Sequence, residues 1–174
     1  LFKELISDFC VEGVWNDMNE PAVMEVPGKT FPMDVRHDYD GNPCSHRKAH
    51  NIYGTQMARA TYEGVKQFAY PKRPFIITRS AYSGAQRYSS SWTGDNVASW
   101  EHLWIANIQM QRMSISGMGF TGSDIGGFAE QPSGELYARW IQLGVFHPFC
   151  RTHSSGDHGD QEPWSFDIDV INIT

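Results

Sequence analysis

Apolar positions recur along this 174-residue chain in two rhythms. Phe2, Leu5, Ile6 and Phe9 stand at i, i+3, i+4 and i+7, the spacing of an amphipathic helix. A short strand is predicted next, over residues 11–16, and then a long polar loop over 27–49, rich in Pro, Gly, Asp and His. Residues 51–69 return to helical spacing, with Tyr53, Met57, Ala60 and Gly64 on one stripe beside Ala58, Tyr62, Val65 and Ala69. Pro71 and Pro74 end that helix. Phe75–Thr78 is a continuous apolar run, the mark of a strand covered on both faces. A small-residue loop over 80–90 leads to a short strand near 91–93. Trp100, Leu103, Trp104 and Ile108 define a second helix, running to about Ile115. A strand is expected within 117–122. Ser133 then caps a helix whose apolar face is Leu136, Trp140 and Leu143, with Tyr137 and Ile141 beside them. A last strand is expected over 145–150, and the tail beyond Pro163 and Trp164 begins a final helix.

Strands that alternate with helices in this way predict an α/β fold with parallel strands. The strand ends add a regularity of their own. Each predicted strand finishes in a charged or polar functional residue: Asp17, Arg79, Asp95, Asp124, then Arg151 and His153. In a (β/α)8 barrel the C-terminal strand ends ring the active site. Five strands are visible where a barrel has eight, and a barrel typically needs about 250 residues. The expectation is therefore a truncated TIM barrel. Residues 1–174 would supply its C-terminal part, about strands 4 to 8, with the earlier strands upstream.

Charge and composition narrow the partners. The net charge of −6 argues against a nucleic-acid backbone. No run approaches the roughly 18 apolar residues of a membrane span, so no membrane partner is expected. Six Trp residues suit stacking on flat sugar or base faces as well as ordinary core packing. Cys10, Cys44 and Cys150 are odd in number and widely spaced, which indicates neither a disulfide framework nor a zinc knuckle.

Each chemical candidate has a structural alternative. In "VWNDMNEP", Asp17 and Glu20 are either chemistry or the cap of a helix beyond Pro21, and Glu20 stands before a proline, where extended turns are usual. Met18 reads as core or pocket wall. Asp95 precedes the helix of Trp100 and is most simply its N-cap. Asp124 lies in the glycine-rich turn Gly122–Phe128; without a following Gly-Lys-Ser/Thr, phosphate cradling is weakly supported, and glycines at positive φ explain the turn as well. Arg79 at a strand mouth needs an anionic partner or water, and with Asp17, Asp95 and Asp124 also at strand mouths the partner is expected among them. His153, Asp157 and His158 do not match a standard zinc pattern, so no metal is expected. Arg36, His37, His46, Arg47 and His50 read as a solvated loop surface. No Gly-x-Ser-x-Gly supports serine hydrolysis. Several carboxylates, an arginine, a histidine and several Trp remain. Two facing carboxylates, one ionised and one protonated, are the minimal set for glycoside hydrolysis.

Five ordered segments carry a resemblance. "VWNDMNEP", "HNIYGTQMARAT", "RPFIITRSAYSGAQRYSSSWTGDN", "GFTGSDIGGF" and "RWIQLGVFHPFCRTH" together resemble glycoside hydrolase family 31, the α-glucosidase family, across nearly the whole chain. The resemblance implies that Asp17 is the catalytic nucleophile and Asp95 the general acid/base of a retaining mechanism, with the two carboxyls within about 5–6 Å. It implies that Arg79, Trp92, Asp124, Phe128 and His153 line the subsite of the reacting glucose. Trp15 and Met18 would form the pocket wall, and Glu20 would be structural. An oligosaccharide is the implied substrate, and no metal or organic cofactor is implied. By the same resemblance, the early barrel strands, an acidic residue on them and the flanking β-sandwich domains lie outside this chain. Open strand edges then predict self-association of the 174-residue piece and little or no activity of its own. An α-xylosidase, a transglucosylase or an α-glucan lyase would share these acids. A carbohydrate-binding fragment without catalysis is the rival of another class.

Overall fold

The computed structural model describes residues 2–173, and its chain divides into two compact units that meet between Ser91 and Trp92. The first unit opens with a short wide helical turn, Glu4–Asp8, and strand β1, Gly13–Asn16. The predicted loop follows, interrupted by a two-residue antiparallel pair, β2 (Arg36–His37) and β3 (Cys44–Ser45). Helix α1 (His46–Ala49) leads through a 3-10 turn into α2, Tyr53–Ala69. Strand β4 (Phe75–Thr78) and the start of β5 (Ser90–Trp92) complete the unit.

Strand β1 pairs in parallel with β4, Gly13 opposite Phe75 through Asn16 opposite Thr78, and β4 pairs in parallel with β5 through Ile77 and Ser90. Parallel neighbours need a crossover, and α2 supplies it between β1 and β4. Its buried residues are Gly54, Ala58, Thr61 and Val65, spaced four, three and four. Ala58 and Val65 are buried as expected, but the rest of the face is shifted, since Ala60 is exposed and Met57 only half-buried, while Gly54 and Thr61 are buried. Small residues win the face because the helix lies close to its neighbours. A Cβ on Gly54 would stand 2.5 Å from the Ser80 carbonyl oxygen. Thr61 is buried because its hydroxyl meets the Asn16 amide at 3.1 Å, a polar contact that apolar periodicity cannot register.

In the basic loop Arg36 and Arg47 are exposed as its composition suggested, but the histidines are not a solvated surface. His46 is wholly buried, with its ring within hydrogen-bonding distance of His37 (2.9 Å) and Thr30 (3.3 Å). Phe31, His50 and Tyr53 pack around the same pair of imidazoles. Burial first, then the neighbouring His50 and His37, hold the His46 pKa below the usual imidazole value.

The second unit carries helix α3 (Trp100–Ile115), strands β6 (Thr121–Gly122) and β7 (Asp124–Ile125), helix α4 (Gly134–Gly144), strand β8 (Arg151–Thr152) and the short α5 (Ile168–Ile171). Strands β7 and β8 pair in parallel, Asp124 opposite Arg151. The core gathers Ala106, Ile125, Leu136, Tyr137, Ala138, Trp140 and Val170, with Phe166 stacked on Tyr137 at 4.5 Å. Helix α4 begins as predicted, the Ser133 hydroxyl accepting from the Leu136 N–H at 3.3 Å. Helix α3 has its predicted limits, but Trp100 and Trp104 are exposed and its buried residues are Ala106 and Met110. The strand expected over 145–150 lies one step later. Val145, Phe146 and His147 instead donate back to the last carbonyls of α4, and Pro148 has no N–H for a ladder. The Phe149 N–H reaches the Thr121 carbonyl of β6 at 3.2 Å, and the regular strand β8 begins at Arg151. The strand expected within 117–122 is confined to Thr121–Gly122.

Candidate active site

In the first unit the predicted residues Trp15, Asp17, Met18 and Arg79 converge at the ends of β1 and β4. Asn16 and Thr78 are register partners, so Asp17 and Arg79, the next residue on each strand, stand side by side. The Arg79 N–H donates to the Asn16 carbonyl at 3.0 Å, which continues the ladder to this point. Asp17 Oδ1 accepts from the Met18 N–H at 2.7 Å and from Arg79 Nη1 at 3.3 Å. Met18 takes a positive φ of 57°, a region costly to a non-glycine residue. That turn brings Glu20 back to Arg79, whose Nε forms an ion pair with Glu20 Oε1 at 3.0 Å. No helix follows Pro21, so neither acid is a cap. Arg79 is thus shared between Asp17 and Glu20. The latter was absent from the partners expected for it, and its closer contact gives the structural role assigned to Glu20 a specific form.

Two asparagines in the same motif anchor Asp17 from below, and sequence reasoning passed over both. Asn16 exchanges hydrogen bonds with the Thr61 hydroxyl at 3.1 and 3.2 Å. Asn19 is wholly buried, donating to Thr78 Oγ1 at 2.8 Å and accepting from the Ser80 N–H at 3.0 Å. The available signal was an amide residue on either side of the acidic one, Asn16 immediately before and Asn19 two positions after, at a strand end where buried polar groups must be paired. Above these anchors Asp17 remains 43% exposed, and Trp15 and Met18 are exposed enough to meet a ligand.

The second unit holds Trp92, Asp95, Asp124, Phe128 and His153. Asp124 is wholly buried and forms an ion pair with Arg151 at 3.0 Å. The Arg151 guanidinium lies over the rings of Trp92 at 5.5 Å and Phe149 at 5.3 Å. One residue beyond β8, the His153 ring packs on Phe128 at 5.2 Å. Gly126 and Gly127 have φ of 87° and 90°, so the glycines serve the turn geometry. Helix α3 is capped by Ser99, whose hydroxyl accepts from the His102 N–H at 3.2 Å. Asp95 is therefore not the cap of that helix; it stands exposed on the loop before it.

His158, weighed as a ligand, bridges loops instead, its ring nitrogens within reach of the Phe128 carbonyl and of Gln131. Among the described residues no group of three or more His, Cys, Asp or Glu could hold a metal ion, and no helix is long and apolar enough to cross a membrane. A cavity of about 520 Å³ in the first unit is lined by His37, Tyr39, Tyr53 and Gln56 among others, and shares no residue with the Asp17 group.

The chain matches the model of the glycosyl hydrolases family 31 TIM-barrel domain over residues 1–174. It is 47% identical over 163 residues to alpha-glucosidase 2 of Bacillus thermoamyloliquefaciens, covering 94% of this chain and 21% of that one. It is 44% identical over 174 residues to the alpha subunit of glucosidase 2 of Saccharomyces cerevisiae, covering 99% of this chain and 18% of that one. A crystal structure of a glucosidase II alpha subunit bound to alpha3-Glc2 superposes with a TM-score of 0.89 at 35% identity, covering 98% of this chain and 19% of that one. The chain thus spans about a fifth of the length of the curated relatives it matches.

Proposed function

This chain belongs to the TIM-barrel domain of glycosyl hydrolase family 31, and from that premise we propose that the complete protein is a retaining, exo-acting α-glucosidase. It releases terminal α-linked glucose from oligosaccharides, and residues 1–174 are the part of its catalytic barrel from about strand 4 to strand 8. The observation that carries the reading is Asp17, held at the end of β1 by the Met18 N–H and Arg79 with its carboxylate open to a ligand.

In this mechanism Asp17 attacks the anomeric carbon as the glycosidic C–O bond breaks. Asp95 gives its proton to the departing oxygen. Asp95 then takes a proton from water, which attacks the same carbon and frees Asp17, so two inversions preserve the α configuration. Arg79 fixes the approach of Asp17, which is where orientation contributes most to rate. Trp15, Met18, Trp92 and Phe128 wall the glucose, and His153 and Asp124 meet its hydroxyls. The alpha-glucosidase relatives support glucose as the sugar.

The test is Asp17→Asn in the complete protein. The expected loss is about three orders of magnitude or more in kcat on maltose, with substrate binding largely kept. An unchanged rate would remove Asp17 as the nucleophile, and no turnover by the unaltered complete protein would replace this reading with that of a carbohydrate-binding module. Product analysis on maltose, isomaltose and xylosides assigns the sugar and separates hydrolysis from transfer or elimination.

A further inference from the structure

The loop that carries Asp95 is clipped to the loop that carries Phe128 by backbone contacts on the residues that follow Asp95. The Asn96 carbonyl accepts from the N–H of Phe128 at 2.7 Å and of Ala129 at 3.1 Å. The Ala98 N–H returns a bond to the Ala129 carbonyl at 2.8 Å, and Val97 bridges Ala129. Inside the Asp95 loop, the Thr93 hydroxyl donates to Asn96 Oδ1 at 2.5 Å, and the Asn96 side chain is buried. The Thr93 N–H donates to the Gly122 carbonyl at 3.1 Å. The clip closes only because position 127 lacks a Cβ. Gly127 sits at φ 90°, and a Cβ there would stand 2.6 Å from the Ala98 nitrogen and 2.7 Å from its Cα. The Phe128 carbonyl in turn accepts from the Ser155 N–H at 2.9 Å.

We propose that Thr93, Asn96 and Gly127 are positioning residues for general acid/base catalysis: the clip between residues 93–98 and 127–129 sets where the Asp95 carboxyl stands. The inference rests on the α-glucosidase reading. A residue flanked on both sides by pinned backbone has its own position fixed, although its side chain is exposed. Loosening the clip displaces the proton donor and leaves the nucleophile, in the other unit, as it was.

Leaving-group chemistry separates this from general damage. An alkoxide leaving group needs a proton in the transition state, whereas 2,4-dinitrophenolate departs without one. In the complete protein, Gly127→Ala and Thr93→Val are expected to lower kcat/KM for maltose about tenfold or more, and for 2,4-dinitrophenyl α-glucoside far less. Thr93→Ser, which keeps the hydroxyl, restores the maltose rate. An equal fall on both substrates, or no fall on either, overturns the proposal while leaving the α-glucosidase reading intact. Failure of the unaltered complete protein on both substrates overturns that reading and the proposal with it. Should Gly127→Ala fail to fold, the Thr93→Val and Thr93→Ser pair decides by the same comparison.

Discussion

Arg151 shows how one side chain organises several others. Its guanidinium neutralises the wholly buried Asp124 and lies over Trp92 and Phe149. Removing one partner of a buried pair leaves an uncompensated charge, which costs more than the pair itself contributes. Arg151→Met keeps most of the volume and is expected to destabilise the protein by about 3–5 kcal/mol, read as a lower midpoint in urea unfolding. Arg151→Met with Asp124→Leu together should recover most of that loss, because no lone buried charge then remains. His46 gives a pH dependence of its own. Its buried ring resists protonation, so below about pH 6.5 the unfolded chain binds a proton there that the folded chain does not. Stability therefore falls as pH drops through this window, until the folded ring also protonates. His147, similarly held below the usual imidazole value by burial, adds to the slope. In His46→Gln the slope of unfolding free energy between about pH 7 and 5 should be shallower than in the unaltered protein; an identical slope would assign it to other groups.

At the scale of elements, α2 is decided by closeness more than by helix propensity. Gly54→Ala gains about 1 kcal/mol of propensity. Its methyl group, however, would stand 2.5 Å from the Ser80 carbonyl and 3.0 Å from the Asn19 carbonyl, both backbone atoms. Overpacking costs about 1–3 kcal/mol, so the net effect is destabilising, checked by the thermal midpoint. This helix also marks what the sequence makes legible. Periodicity places α2, α3 and α4, and the apolar run places β4, because those signals come from the chain's own repeat. It finds Ala58 and Val65 on the buried face of α2 but not Gly54 and Thr61, small and hydroxylated residues that take the close contacts, and it misplaces the buried face of α3. It misses β7 entirely, because two residues inside a glycine-rich turn have no period. The stretch 145–150 reads as a strand by composition, but the end of α4 consumes the N–H groups of Val145, Phe146 and His147. The site fares similarly. Asp17, Arg79, Asp124 and His153 are legible as strand-end residues. Glu20 and Arg151 stand out in the sequence too, but that Glu20 holds Arg79 and Arg151 holds Asp124 becomes visible only when pairing in space is known.

The whole molecule is two units, each with part of the proposed chemistry: Asp17 and Arg79 in the first, and Asp95, Asp124 and His153 in the second. The chain matches about a fifth of its curated relatives' length, and the prediction for it in isolation follows from that. The purified 174-residue chain should not release p-nitrophenol from p-nitrophenyl α-glucoside above the rate of its Asp17→Asn variant; clear turnover by a monomer would contradict this. The cysteines have a practical consequence at this scale. Cys10 is exposed in the first unit and Cys150 in the second, while Cys44 is buried. These 174 residues therefore carry one spectroscopic attachment point on each unit, with the third thiol shielded from reagent. Pairs of spin labels or fluorophores can be installed without mutagenesis, giving a ruler that reads the separation of the two units in solution as substrate is added.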